Sequence, residues 1–184
     1  MTLFKHAFFA VAGFLFAGVA QAQTFSDAFA GFGSNDGEPI EIEASELRVE
    51  DNKSTATFVG DVVVVQGETS LKTQRLKVYY AGSGAQKTDA AVQQRISKLE
   101  AQGGVFISSK DQTAKGDQAS FDMNREVMVM TGKEVVLSQG PNVVVGNRLT
   151  VNLKTGKANL EGGGDSGRVK VRILPNSVQN GEGQ

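Results

Sequence analysis

Ile42-Glu-Ala44-Ser-Glu-Leu47-Arg-Val49, followed after a short gap by Ala56-Thr-Phe58-Val-Gly60, holds the two patterns on which the reading of this chain turns. The first pattern is apolar, any, small, two residues, apolar, any, apolar. It returns at Leu71/Thr73/Leu76/Val78, Ala114/Gly116/Ala119/Phe121 and Val144/Gly146/Leu149/Val151, in steps of 29, 43 and 30 residues. The second is apolar, any, apolar, any, glycine, and it returns at Leu99/Ala101/Gly103, Met128/Met130/Gly132 and Ala158/Leu160/Gly162, in steps of 43, 29 and 30. In both series the long step spans residues 81 to 95, so one insertion accounts for both irregularities and the chain reads as about four internal repeats.

Each pattern alternates with the period of half-buried strands. Turn residues punctuate the runs at Asp51-Asn52-Lys53, Gln66-Gly67-Glu68, Gly140-Pro141-Asn142 and Lys154 to Lys157. From Ala44 to Leu47 the spacing is three, which moves the apolar set to the other face, so the strand must bend or bulge at the small residue. After each glycine a further apolar run begins, as at Val62/Val64, Val105/Ile107, Val135/Leu137 and Val169/Val171/Ile173. Each unit therefore predicts about four short strands with one apolar side. Stacked edge to edge, the units predict an all-β fold: an elongated, open β-jelly roll or sandwich of many short antiparallel strands. Gly132 to Gln139 is one residue longer than Gly60 to Gln66, which predicts a bulge at Lys133-Glu134. Only residues 85 to 95 suggest a helix or, equally, a loop.

Outside the repeats, Lys5, an apolar run from Ala7 to Val19 and Ala20-Gln21-Ala22 have the form of a secretory signal, so residues 1–22 are expected to be removed and the mature chain to reach the periplasm. The apolar run falls short of the roughly 20 residues that span a bilayer. Residues 23–39 read as a flexible lead-in, 40–175 as the β domain and 176–184 as a disordered tail.

The chain has no cysteine, and its single histidine, His6, lies within the expected signal, which removes the usual bases, nucleophiles and metal ligands. Gly164-Asp165-Ser166-Gly167 copies a protease nucleophile signature but has no histidine to serve it, and reads as a turn. Glu41, Glu43, Glu46 and Glu50 alternate with apolar residues and read as a solvated face. Charges nearly balance, with 19 Lys and Arg against 20 Asp and Glu, so no nucleic-acid partner is indicated. No enzyme activity, cofactor or metal is expected.

The segments IEIEASELRVEDNKSTATFVGDVVVVQGETSLKTQRLKVYY, QGGVFISSKDQTAKGDQASFDM and TGKEVVLSQGPNVVVGNRLTVNLKTGKANLEG resemble the OstA-like family of lipopolysaccharide-transport proteins, over roughly Ile40 to Pro175. The resemblance implies a β-jelly roll whose apolar interior carries the lipid A acyl chains. It also implies head-to-tail contacts, with itself or with like-folded domains of an LptC-like inner-membrane protein and an LptD-like outer-membrane protein. The alternation selects Phe58, Val62, Val64, Leu76, Val78, Val105, Ile107, Phe121, Val135, Leu137, Leu149 and Val151 as groove lining. Ile40 and Ile42 at one end, and Val169, Val171 and Ile173 at the other, are the expected partner edges. Sealed core and lipid contact demand the same residue types, so the pattern leaves that choice open. A β-repeat scaffold that bridges proteins without lipid is the competing reading; a carboxylate-only glycan hydrolase is a third.

Overall fold

The structure, a computed structural model, describes residues 38–81, 95–163 and 167–174. The expected signal, most of the lead-in, the tail and most of the 85–95 segment lie outside these residues. Among them the chain forms strands Glu41–Glu43 (β1), Glu46–Glu50 (β2), Thr55–Gln66 (β3), Thr69–Ala81 (β4), Arg95–Ser109 (β5), Gln112–Asp122 (β6), Val127–Gln139 (β7), Asn142–Asn152 (β8), Ala158–Glu161 (β9) and Lys170–Arg172 (β10), with one 3-10 turn at Asp51–Lys53.

All of these strands belong to one open antiparallel sheet. The path runs β1-β3-β4-β5-β6-β7-β8-β10, while β2 pairs the first half of β3 and β9 the second half of β8. The all-β, open, antiparallel architecture is thus the one the repeat predicts. Its strands are longer than the short ones expected, because the two halves on either side of each small residue or glycine stay within one hydrogen-bonded strand. The register shifts there instead of the ladder ending: between Val59 and Val62, Lys72 and Arg75, Gln102 and Val105, Lys115 and Gln118, and Thr131 and Val135.

These irregularities lie side by side and fold the sheet over on itself. Layer A holds β2, β9 and the strand halves around Phe58, Leu76, Ala101, Ala119, Met130 and Leu149. Layer B holds β1, β10 and the halves around Val64, Leu71, Ile107, Ala114, Leu137 and Val144.

Polar backbone groups freed at the bend find side-chain partners. Thr73 Oγ1 donates to the Gln102 carbonyl at 2.8 Å, and Asp117 Oδ2 accepts from the Lys133 N–H at 2.8 Å. The latter bond sits in the bulge expected at Lys133-Glu134, where β7 advances from Thr131 to Val135 while β8 advances only from Arg148 to Gly146. Gly103 shows why glycine recurs at the bend. Its φ is +90°, and a Cβ there would stand 2.8 Å from the Gln74 Cβ.

Candidate functional site

Inward-facing positions line up across the sheet into three apolar ladders. In layer A, cross-strand neighbours connect Leu47, Phe58, Leu76, Ala101, Ala119, Met130, Leu149 and Leu160 in one row. Beside it run Val49, Ala56, Val78, Leu99, Phe121, Met128, Val151 and Ala158. In layer B the row is Ile42, Val64, Leu71, Ile107, Ala114, Leu137, Val144 and Val171. The interior is therefore a continuous apolar surface from the first edge of the sheet to the last.

Of the twelve lining residues read from the sequence, all but Phe58 are buried in the common core, and Phe58 is half-buried against it. The structure brings the twelve together, and in it the interior is closed at its middle. Leu71, Leu99, Ala101, Ala114, Ala119, Met128 and Met130 belong to the same core. Each already occupied an apolar position of one of the two repeat patterns, a signal sufficient to include it.

The ends differ from the middle. Val169, Val171 and Ile173 are exposed, and Leu174 joins them. At the other end Ile40 and Ile42 are half-buried against the core, and the open apolar groups are Leu47 and Val49 of β2. Those two stand in the first copy of the repeat, on β2, which pairs β3 on one side among the described strands. Charges at the layer B edges are opposite: β1 reads Glu-Ile-Glu and β10 reads Lys-Val-Arg.

Shallow concavities lie on the outer faces of the described residues. One of about 390 Å³ lies over the bend, with Lys72, Phe106 and Lys115 along it; a second, of about 330 Å³, lies on layer A between Lys98 and Arg148. Beside the second, Glu100 accepts from Lys98 Nζ at 2.6 Å and from Tyr79 OH at 2.7 Å. Burial pushes the Glu100 carboxyl up, but the bonds from Lys98 and Tyr79 outweigh it and hold the group below the usual carboxylate range. The same contact with Glu100, then burial, raises the Tyr79 phenol.

Among the described residues no group of three or more His, Cys, Asp or Glu is placed to hold a metal ion, and no helix is long and apolar enough to cross a membrane. Residues 164–166 of the Gly-Asp-Ser-Gly segment lie outside the described residues; a bridge between Gly163 and Arg168 flanks them.

Comparison with known proteins points one way. The family described as "LptA/(LptD N-terminal domain) LPS transport protein" matches residues 41–157. An uncharacterized protein of Rhizobium meliloti is 38% identical over 171 residues, covering 91% of this chain and 90% of the relative. The lipopolysaccharide export system protein LptA of Haemophilus influenzae is 24% identical over 149 residues, covering 80% and 83%. The crystal structure of LptH, described as the LptA-homologous periplasmic component of the lipopolysaccharide transport device of Pseudomonas aeruginosa, superposes with a TM-score of 0.60 at 18% identity. That superposition covers 76% of this chain and 97% of LptH.

Proposed function

The chain belongs to the LptA/LptD N-terminal-domain family of lipopolysaccharide-transport proteins, and from that premise we propose that it carries lipopolysaccharide across the periplasm with the acyl chains between its two layers. The observation that supports this reading is the set of apolar ladders that run the length of the sheet and reach exposed side chains at its ends. Exposing fatty chains to water costs about 0.8 kcal/mol per CH₂, so several chains together forbid free passage. An apolar lane that admits them removes that barrier, and the sugar and phosphate groups stay in solvent. No bond is made or broken; the chain works by binding and passage, without catalysis.

Loading requires the layers to part. The backbone ladders join strands within the sheet, and the two layers are connected through the bend, so their inner faces meet by side-chain packing that lipid tails can replace.

The lane lengthens when copies, or like-folded domains of LptC-like and LptD-like partners, add to the edges. Let β10 of one copy lie beside β1 of the next, antiparallel like every other pair in the sheet. Continuing the rows then sets Val171 opposite Ile42, Arg172 opposite Glu41 and Lys170 opposite Glu43. Apolar meets apolar and each cation meets a carboxylate, a fit suited to edge addition. In layer A the same continuation sets Leu160 opposite Leu47 but Glu161 opposite Glu46, so the layer B edges are the favourable ones.

A closed middle favours the competing scaffold reading, a bridge between envelope proteins that holds no lipid. Neighbouring positions separate the two. Ile107 points inward and is fully buried, while Phe106 points outward and is 39% exposed. A photo-crosslinking residue at 107 should capture lipopolysaccharide and the same residue at 106 should not. Equal capture at both positions, or capture at neither, would sink the groove reading.

A further inference from the structure

The inner face of layer B changes character two residues beyond its apolar ladder. Toward the hairpin tips the same face carries Gln66, Thr69, Ser109, Gln112, Gln139 and Asn142, one from each of six consecutive strands and registered as cross-strand neighbours. None is apolar. Tight loops at Gly67-Glu68, Lys110-Asp111 and Gly140-Pro141 close these hairpins, so the row forms a lip along the mouth of the fold. The matching strand ends of layer A carry Ile96, Met123 and Leu153, packed against the core. One lip is polar and the other apolar.

The polar lip is not a solvated rim. Thr69 is 3% exposed, Ser109 6% and Gln112 4%. Polar groups in such positions are costly unless bonded, and part of the row is bonded along itself and to the chain's own ends. Thr69 donates to Ser109 at 3.1 Å, Gln66 Nε2 to the Glu38 carbonyl at 3.2 Å, and the Leu174 N–H to Asn142 Oδ1 at 3.2 Å. Gln66 Oε1 is buried with no hydrogen-bond partner. A core that only had to be sealed would carry apolar residues here, as it does two positions away.

We infer that this row is a binding strip for the amide and ester linkages of acyl chains, fixing how deep a lipid sits between the layers. The inference rests on the acyl-chain reading above and adds the chemistry by which the mouth recognises its ligand. With the tails on the ladder of Val64, Leu71, Ile107, Ala114, Leu137 and Val144, the first polar atoms of each chain fall on the strip. The carboxamide N–H groups of Gln112 and Gln139 then donate to linkage carbonyls, and the Gln66 carbonyl accepts from an amide N–H or a chain hydroxyl. Strands repeat every 4.7–4.9 Å or so, so neighbouring chains find equivalent groups along the row.

The test compares two probes on the full chain: purified lipid A, and a dialkyl lipid of matched chain length with ether linkages only. The double variant Gln112→Met, Gln139→Met keeps side-chain length and removes the amides. It should bind lipid A on the order of tenfold more weakly, as expected for one or two lost hydrogen bonds, and the ether lipid as the wild type does. Thr113→Val, on the outer face of the same strand, should change neither. Thr69→Val supplies a near-isosteric member of the row should the double variant fail to fold, with the same pattern expected. Unchanged lipid A binding in folded row variants, or equal loss for both lipids, would overturn the strip while leaving the groove standing. A wild-type chain that bound neither probe would overturn the groove reading itself.

Discussion

Leu47 and Leu76 hold the same position in the repeated pattern and flank the same residue, Phe58, in the sheet, yet Leu47 is 54% exposed and Leu76 fully buried. Val49 and Val78 repeat the contrast across Ala56, at 56% and 6%. Local sequence does not distinguish them, since both stretches alternate in the same way. The difference is one of neighbours: among the described strands β4 has one on each side and β2 has one only. What a middle strand gains inside the molecule, an end strand still has to find outside it. Covering a half-exposed Leu or Val is worth roughly 1 kcal/mol each, so several together make an end worth joining.

The contrast breaks most sharply at its core. Phe121 sits fully buried in the second layer A ladder, between Leu99 and Met128. Phe121→Ala should cost about 3–5 kcal/mol in denaturant unfolding, whereas Leu47→Ala should change the isolated chain by no more than about 0.5 kcal/mol. Equal costs would mean that the end is packed in solution and that the exposure of Leu47 is not the state in which the protein works.

The sequence carried the inner face of nearly every strand. Alternation identified the ladders, and the spacing of three placed the bend at Ala44, Thr73, Gly116 and Gly146. Two things were not legible. The half-strands merge into single strands because the bend keeps its backbone pairing through a shifted register, a property of the neighbouring strand and not of local composition. The polar lip went unread for a similar reason: Gln66, Ser109, Gln112 and Gln139 flank turns, where polar residues are ordinary, and only register shows them aligned on the inner face. Of the candidate edges, Ile42 was drawn inward because β1 packs on β3 beside Val64.

A smaller effect concerns the opposite charges at the two layer B edges. Lys170→Glu with Arg172→Glu should leave thermal unfolding unchanged, because both residues are exposed, and should weaken end-to-end association about tenfold or more at low salt. Sedimentation over a range of concentrations reads this out. Adding Glu41→Lys and Glu43→Lys should restore the association if β1 receives β10. Failure of the restoration would place the joint elsewhere, with Leu47 and Val49 as the next surface to test.

The smallest effect sets two ion pairs against each other, one in the middle and one at the end. Lys98 and Glu100 lie on the outer face of β5, where Tyr79 also donates to Glu100, and the Glu100 side chain is 29% exposed. Glu46 and Arg48 lie on β2 with side chains 50% and 61% exposed. Because Glu100 ionises more readily folded than unfolded, its contribution is fully present above its unfolded value of about 4.3. It is lost as pH falls through the lower folded value. Glu100→Gln should therefore lower stability slightly at neutral pH, by less than about 1 kcal/mol given its partial exposure, and the gap from wild type should close below about pH 4. Arg48→Ala should leave stability unchanged at every pH, since water already solvates both members of the pair. A gap for Glu100→Gln that persisted into strong acid would mean that the side chain acts by packing against Tyr79 and not by its charge. The middle of the sheet would then differ from its ends in burial alone.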